Sequence, residues 1–75
     1  MPRRIRKFDG YKLLRHREDG WMTQEELAEK SGLHRMTISR LENGKQPYPA
    51  RYTIFALATT LGVRREDLLE DESGD

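Results

Sequence analysis

"TQEELAEKSGLHRMTISRLENG", Thr23 to Gly44, holds two helix starts and two helix stops in one short stretch. Thr23 followed three residues later by Glu26 is a capping box. The hydroxyl takes a backbone N–H and the carboxylate reaches back to the cap. Met22 before the cap and Leu27 inside the helix sit at hydrophobic-staple spacing. This spacing predicts a helix from Thr23 to about Lys30. Gly32, suited to left-handed backbone, ends it. Leu33 and Ile38 repeat the staple around His34, a weaker N-cap than Ser, Thr or Asp. Gly44 stops the next helix. On that helix, at ~100° per residue, Ile38 and Leu41 share one side with Glu42 at its border. Met36, Ser39, Arg40 and Asn43 gather on the opposite side, and Arg35 stands at the exposed N-terminal end.

The same punctuation extends in both directions. Asp9 is a candidate N-cap for a helix from Gly10 to about Asp19, with Leu13 and Leu14 facing inward and Gly20 stopping it. Downstream, two prolines in "KQPYPA" make a stiff loop. A helix is then expected over about Arg51 to Leu61, where Ile54, Leu57, Ala58 and Leu61 fall at i, i+3, i+4 and i+7. Gly62 ends it, and a short last helix over about Arg65 to Glu70 brings Leu68 and Leu69. No sustained alternation marks a strand. The expected fold is therefore all-α, a compact five-helix bundle. Its expected limits are a basic arm over 1–9, one domain over 10–70 and an acidic disordered tail over 71–75.

The totals constrain function. Seventy-five residues make one domain at most, and a chain this short buries only about 60% of its unfolded surface. Without Cys there is no disulfide, thiolate nucleophile or Cys-based zinc site. No apolar run approaches the ~20 residues of a membrane span, and no hydrophobic region comes after "MPRRIRK" as in a signal peptide. A cytoplasmic protein without a membrane partner is expected. The net charge of +1 conceals an asymmetry: residues 1–20 carry seven Lys/Arg against three Asp/Glu, and residues 61–75 carry two against six. One end attracts anions and the other repels them, unless both tails merely solubilise the chain. His16 and His34 lie on different helices with no clustered carboxylate, so no metal site, cofactor or catalytic role is expected. Nor is a small-molecule effector evident. Trp21, Tyr48 and Tyr52 could stack bases of a single strand; the reading preferred is that Trp21 covers the core edge while the tyrosines flank the loop before the fourth helix. The basic arm of Arg3, Arg4, Arg6 and Lys7 either tracks DNA into the minor groove or is a disordered tail.

Two helices joined by a Gly-containing turn of three or four residues form the helix-turn-helix arrangement, whose second helix fits the DNA major groove. An ordinary amphipathic helix with a solvated face has the same pattern, and this helix alone leaves both readings open. The wider sequence narrows them. From "TQEELAEKSGL" through "ISRLENGKQP" to "ALATTLGV" and "DLL", the chain closely resembles the Cro/CI-type, or XRE, family of helix-turn-helix domains. The resemblance covers about residues 10–70. It implies a phage-repressor-like bundle of five helices, with the second and third forming the helix-turn-helix. It also implies that Arg35, Met36, Ser39 and Arg40 face base edges. By the same resemblance, Gln24 contacts a phosphate and braces the recognition helix, Asn43 and Lys45 bind phosphate, and Arg17 pairs with Glu42. His34 and Thr37 complete the expected phosphate-binding set. Independently, Arg can fork onto guanine O6 and N7, whereas Ser discriminates poorly; Met36 has only a thymine methyl to touch. Two positions depart from the family pattern: His34 replaces the usual Ser or Thr cap, and Trp21 stands where Gly is common.

The resulting expectation is a sequence-specific double-stranded DNA-binding transcriptional regulator with no enzymatic activity. It would act as a homodimeric repressor, of phage or plasmid type or as the controller of a restriction–modification cluster. One helix reads only about four or five base pairs, and a symmetric dimer doubles the site into a palindromic operator. The dimer contact is expected over residues 60–70, on Val63, Leu68 and Leu69. The alternative is an antitoxin whose main duty is to bind a toxin protein, with DNA binding secondary. Only residues 1–8 and 71–75 are spare for such a contact, which argues mildly against it.

Overall fold

A computed structural model describes residues 6–71. Four α-helices succeed one another: α1 (Gly10–Asp19), α2 (Gln24–Ser31), α3 (Arg35–Glu42) and α4 (Arg51–Leu61). A single 3₁₀ turn, Arg65–Leu68, completes the order. The local signals account for most boundaries. Asp9 Oδ1 accepts the backbone N–H groups of Tyr11 and Lys12 at the start of α1. Thr23 and Glu26 close the capping box at 3.0 and 2.9 Å. Gly32, at φ 78°, ends α2 in the left-handed region, where a Cβ is disfavoured.

Leu13, Leu27, Ile38, Leu41, Leu57 and Leu68 are fully buried, one or two from each element. Burying such a side chain stabilises by about 1.5–3 kcal/mol, so these few leucines and one isoleucine hold the bundle. Helix α2 packs on α3 and α4, and α1 packs on α3. Leu14, expected inside, is only half-buried, as are Ile54 and Leu61 of the α4 stripe. Thr53 is buried instead beside Leu57 and Ala58 on α4.

The expected fifth α-helix is not formed, and the count among the described residues is four helices and one 3₁₀ turn. The cause lies at the other end of the chain. Phe8 and Leu69 form an isolated antiparallel bridge, with Asp9 N–H donating to Leu68 O and Glu70 N–H to Lys7 O. Leu69 is thereby drawn into extended backbone, φ −107° and ψ 156°, and cannot continue a helix. Phe8 enters the core, so the folded unit begins before the boundary expected at residue 10. Arg6 donates from Nε to Glu70 O at 2.8 Å, which fastens this part of the basic segment to the acidic end. Arg3 and Arg4 lie outside the described residues, as do 72–75. Asp71, expected in a disordered tail, accepts from Lys12 Nζ at 2.9 Å.

The bridge also corrects part of the expected dimer surface. Leu68 is 0% exposed, inside its own core, and a side chain so enclosed offers nothing to a second protein. Leu69 and Val63 are half-buried against the same core. The large exposed apolar side chain at this end is Phe55, 61% exposed on α4.

Candidate nucleic-acid interface

Helices α2 and α3 are joined by Gly32, Leu33 and His34. Leu33 N–H donates to Ser31 Oγ at 3.3 Å, and half-buried Leu33 anchors the turn on the core. His34 caps α3: its Nδ1 accepts the Met36 N–H at 3.1 Å. With Nδ1 engaged as the acceptor, Nε2 is the ring nitrogen left to donate to another partner.

Ile38 and Leu41 bury one face of α3, and Arg35, Met36 and Arg40 are exposed on the other. Thr37 and Ser39 are half-buried at the margins. His34, Arg35, Met36 and Ser39 line one shallow concavity, while Arg40 stands one turn further along the helix. Gly44, at φ 72°, ends α3 in a left-handed turn. Its N–H donates to Leu41 O, and that of Lys45 donates to Arg40 O at 2.9 Å. This is the paired closure of a Schellman motif, and it ties the Lys45 backbone to α3 while leaving the side chain in solvent. Asn43 Nδ2 reaches Ser39 Oγ at 3.4 Å, so both stay on the open side.

What orients α3 is a buried polar network. Arg17 donates from Nε to Glu42 Oε2 at 2.6 Å and from Nη2 to Oε1 at 3.0 Å, a two-pronged fork. Its third donor, Nη1, reaches Met22 O at 2.8 Å. Gln24 Nε2 donates to Glu42 Oε1 at 2.9 Å. The Arg17 and Glu42 side chains are only 13% and 6% exposed. The hydrogen bond to Glu42 raises the Arg17 pKa above its ordinary value, against the opposing effect of burial. Helix α1, the start of α2 and the end of α3 thus meet at one carboxylate. The Gln24 amide is a brace here, with its side chain turned to Glu42.

Two further residues shape this region. At Gly10, an added Cβ would lie 2.1 Å from Leu41 O and 3.0 Å from Glu42 O. Only glycine lets the start of α1 approach the end of α3 so closely. In the sequence Gly10 reads as an ordinary first helical residue. Its one local signal is a poor helix former placed directly after a good cap. The second is Trp21, which does not cover the core edge as expected: it is 91% exposed. It adopts φ 57°, a left-handed conformation costing a residue with a Cβ about 1–2 kcal/mol. Its N–H donates to Glu18 O and that of Met22 to Arg17 O, another Schellman closure, with tryptophan at the glycine position.

A model of helix-turn-helix domains matches residues 14–68, which span α2, the turn and α3. The chain belongs to the XRE-type helix-turn-helix family. Helix α3 is the second helix of that motif, and Arg35, Met36, Ser39 and Arg40 all lie on it. The chain is 35% identical over 65 residues to the HTH-type transcriptional regulator y4dJ of Sinorhizobium fredii, covering 87% of this chain and 83% of that one. Among solved structures it is similar to the restriction–modification controller protein C.AhdI of Aeromonas hydrophila. That match has 32% identity and a TM-score of 0.74 over 79% of this chain and 88% of the other. It is also similar to the biofilm master regulator SinR of Bacillus subtilis, solved in complex with DNA. There the identity is 25% and the TM-score 0.76, over 79% of this chain and 94% of the chain solved with DNA. No helix among the described residues of this XRE-type domain is long and apolar enough to cross a membrane.

Proposed function

We propose that this chain is a sequence-specific double-stranded DNA-binding regulator that acts as a homodimeric repressor on a palindromic operator. The observation that carries the reading is the open face of α3, presented on a helix whose far end is clamped by the Arg17–Glu42–Gln24 network. A rigid mount matters because base readout needs side chains held in register with the groove. Arg35 and Arg40 supply forked donors for guanine, Met36 an apolar contact for a thymine methyl, and Ser39 a hydroxyl with little selectivity. Asn43, Lys45, His34 through Nε2–H, and Thr37 take the phosphate-contacting role, which positions without reading sequence. Gln24 joins that set through the second hydrogen of Nε2, the first being given to Glu42. Repression by occluding an operator requires nothing beyond tight binding.

Support for the dimer comes from the α4 end. Phe55 stands beside a shallow groove lined by Ala58, Thr59 and Val63, with Arg64, Arg65 and Glu66 at its rim. An exposed aromatic beside an apolar groove, with both charge signs around it, suits a two-fold contact with a second copy. The expected contact set therefore becomes Phe55 and Val63, with Leu69 at the edge and without Leu68.

Selection of bound duplexes from a random pool, then binding of variants, tests the reading. Arg40→Ala should cost about 1–3 kcal/mol on the selected site and relax one or two base pairs. Lys45→Ala should weaken all duplexes alike and lower the salt slope by about one. Equal losses on selected and random DNA for both variants would show that α3 does not read bases. Inserting five base pairs between half-sites places them on opposite faces of the duplex, and binding should fall to the non-specific level. Phe55→Glu should sediment as a monomer.

A further inference from the structure

Gly20 and Trp21 stand in an order that folding alone does not favour. Gly20, at φ −88°, holds a conformation open to any residue. Trp21, at φ 57°, holds the one that favours glycine. An exposed aromatic is ordinary by itself. Here the largest side chain of the chain, its sole tryptophan, combines 91% exposure with a strained backbone. Its neighbours in the chain fix its place. The carbonyl of Met22, the next residue, is held by Arg17 Nη1 at 2.8 Å, and the same guanidinium holds Glu42 at the end of α3. Three residues after Trp21, Gln24 bonds the same carboxylate. The Trp21 turn is thereby fastened to Glu42 in the last turn of α3, directly ahead of Asn43 and Lys45 in the chain. A helix seated in the major groove is flanked by the sugar–phosphate backbone along its edges.

We infer that Trp21 is a DNA-backbone contact, its ring lying against the deoxyribose and its Nε1–H donating to a phosphate oxygen beside the half-site. The inference rests on the DNA-binding reading above and adds a residue to it. Tryptophan has one polar hydrogen, a donor, and no acceptor, so phosphate is a fitting partner. The group is neutral. It displaces no counterion, and its loss weakens binding without changing the salt slope, unlike the loss of a lysine.

The strain supplies its own control. Trp21→Gly relieves the positive φ, so that variant should melt higher than wild type while binding DNA about three- to tenfold more weakly, the range one hydrogen bond supplies. The loss should be equal on selected and random duplex at unchanged salt slope. Trp21→Phe, keeping a ring without the donor, should lose part of that affinity. In the wild-type chain, indole emission should change on addition of duplex and saturate with binding. Wild-type affinity in Trp21→Gly, indifferent emission at saturating duplex, or an altered salt slope would each overturn the contact while leaving the functional reading intact. Emission that shifts with protein concentration in the absence of DNA, in step with sedimentation, would overturn it in favour of a protein contact. A wild-type chain that binds no duplex at any salt removes the functional reading and the contact together.

Discussion

Among the described residues helix α1 makes two ion pairs, and they differ in nearly everything except chemical type. Arg17 meets Glu42 through a fork, at 13% and 6% exposure, with Gln24 and Met22 satisfying the remaining sites. Lys12 meets Asp71 through a single 2.9 Å contact, at 28% and 92% exposure, and also donates to Leu69 O. The first pair joins three helices at the end of the recognition helix. The second fastens the end of the described chain to the surface of α1. A carboxylate in water is already solvated, so an exposed pair contributes little. A buried carboxylate without its partner has lost that solvation and found nothing in return. The same bond is thus dispensable at one end of α1 and structural at the other.

The largest expected effect attacks the buried pair. Glu42→Ala should destabilise by roughly 3–5 kcal/mol, because Arg17 keeps its charge but loses the fork. At about 4–8 °C per kcal/mol for a domain of this size, the melting temperature should fall by well over 10 °C. Arg17→Lys should recover little of the pair's strength, since an ammonium keeps the charge but cannot present two parallel donors. A melting temperature unchanged in Glu42→Ala would erase the contrast between the two pairs.

Gly10→Ala attacks the same junction through shape rather than charge. A Cβ 2.1 Å from Leu41 O meets backbone that cannot rotate aside, so α1 must withdraw from α3. Overpacking of this kind costs typically about 1–3 kcal/mol. It should also lengthen the Arg17–Glu42 fork and weaken binding of a selected duplex beyond what stability explains. Thermal melts and binding below the melting range separate the two effects. An alanine variant with wild-type stability would show that α1 and α3 approach less closely than this.

Legibility in the sequence depends on the range of the interaction. The Thr23–Glu26 box, Gly32, Gly44 and the Leu57–Ala58 stripe are readable because each is decided within one or two turns of chain. Arg17 and Glu42 are 25 residues apart, and their pairing comes from family resemblance, not from local pattern. Gly10 against Leu41, and Phe8 against Leu69, are long-range backbone contacts that no periodicity encodes. They account for the missed close approach, the absent fifth helix and the burial of Leu68. Phe55 escapes notice because it lies off the apolar stripe of α4, and a side chain outside the core pattern carries no packing signal. The exposed face of α3 is visible in the sequence as a polar one; the cap that His34 forms through Nδ1 is visible only as a weak one.

The smallest expected effect belongs to the exposed pair, and its size depends on pH. The Asp71 carboxyl is held below its usual value of 3.8, chiefly by the hydrogen bond from Lys12. Asp67 is lowered too, chiefly by the backbone N–H of Arg64. A depressed folded-state pKa contributes stability above the unfolded value and loses it as pH falls through the folded one. Both contributions should therefore be complete at neutral pH and disappear only below about pH 4, where the unfolded carboxyls begin to take up protons. Asp71→Asn should melt within error of wild type at pH 7 in ~0.15 M salt, because a fully exposed charge is screened there. The variant should differ from wild type, if measurably, only at low ionic strength, and that difference should vanish as the buffer is taken below about pH 4. A large loss at neutral pH and moderate salt would mean that the strap made by Leu69, Glu70 and Asp71 holds α1 as firmly as Glu42 does, and the two pairs would then be equals.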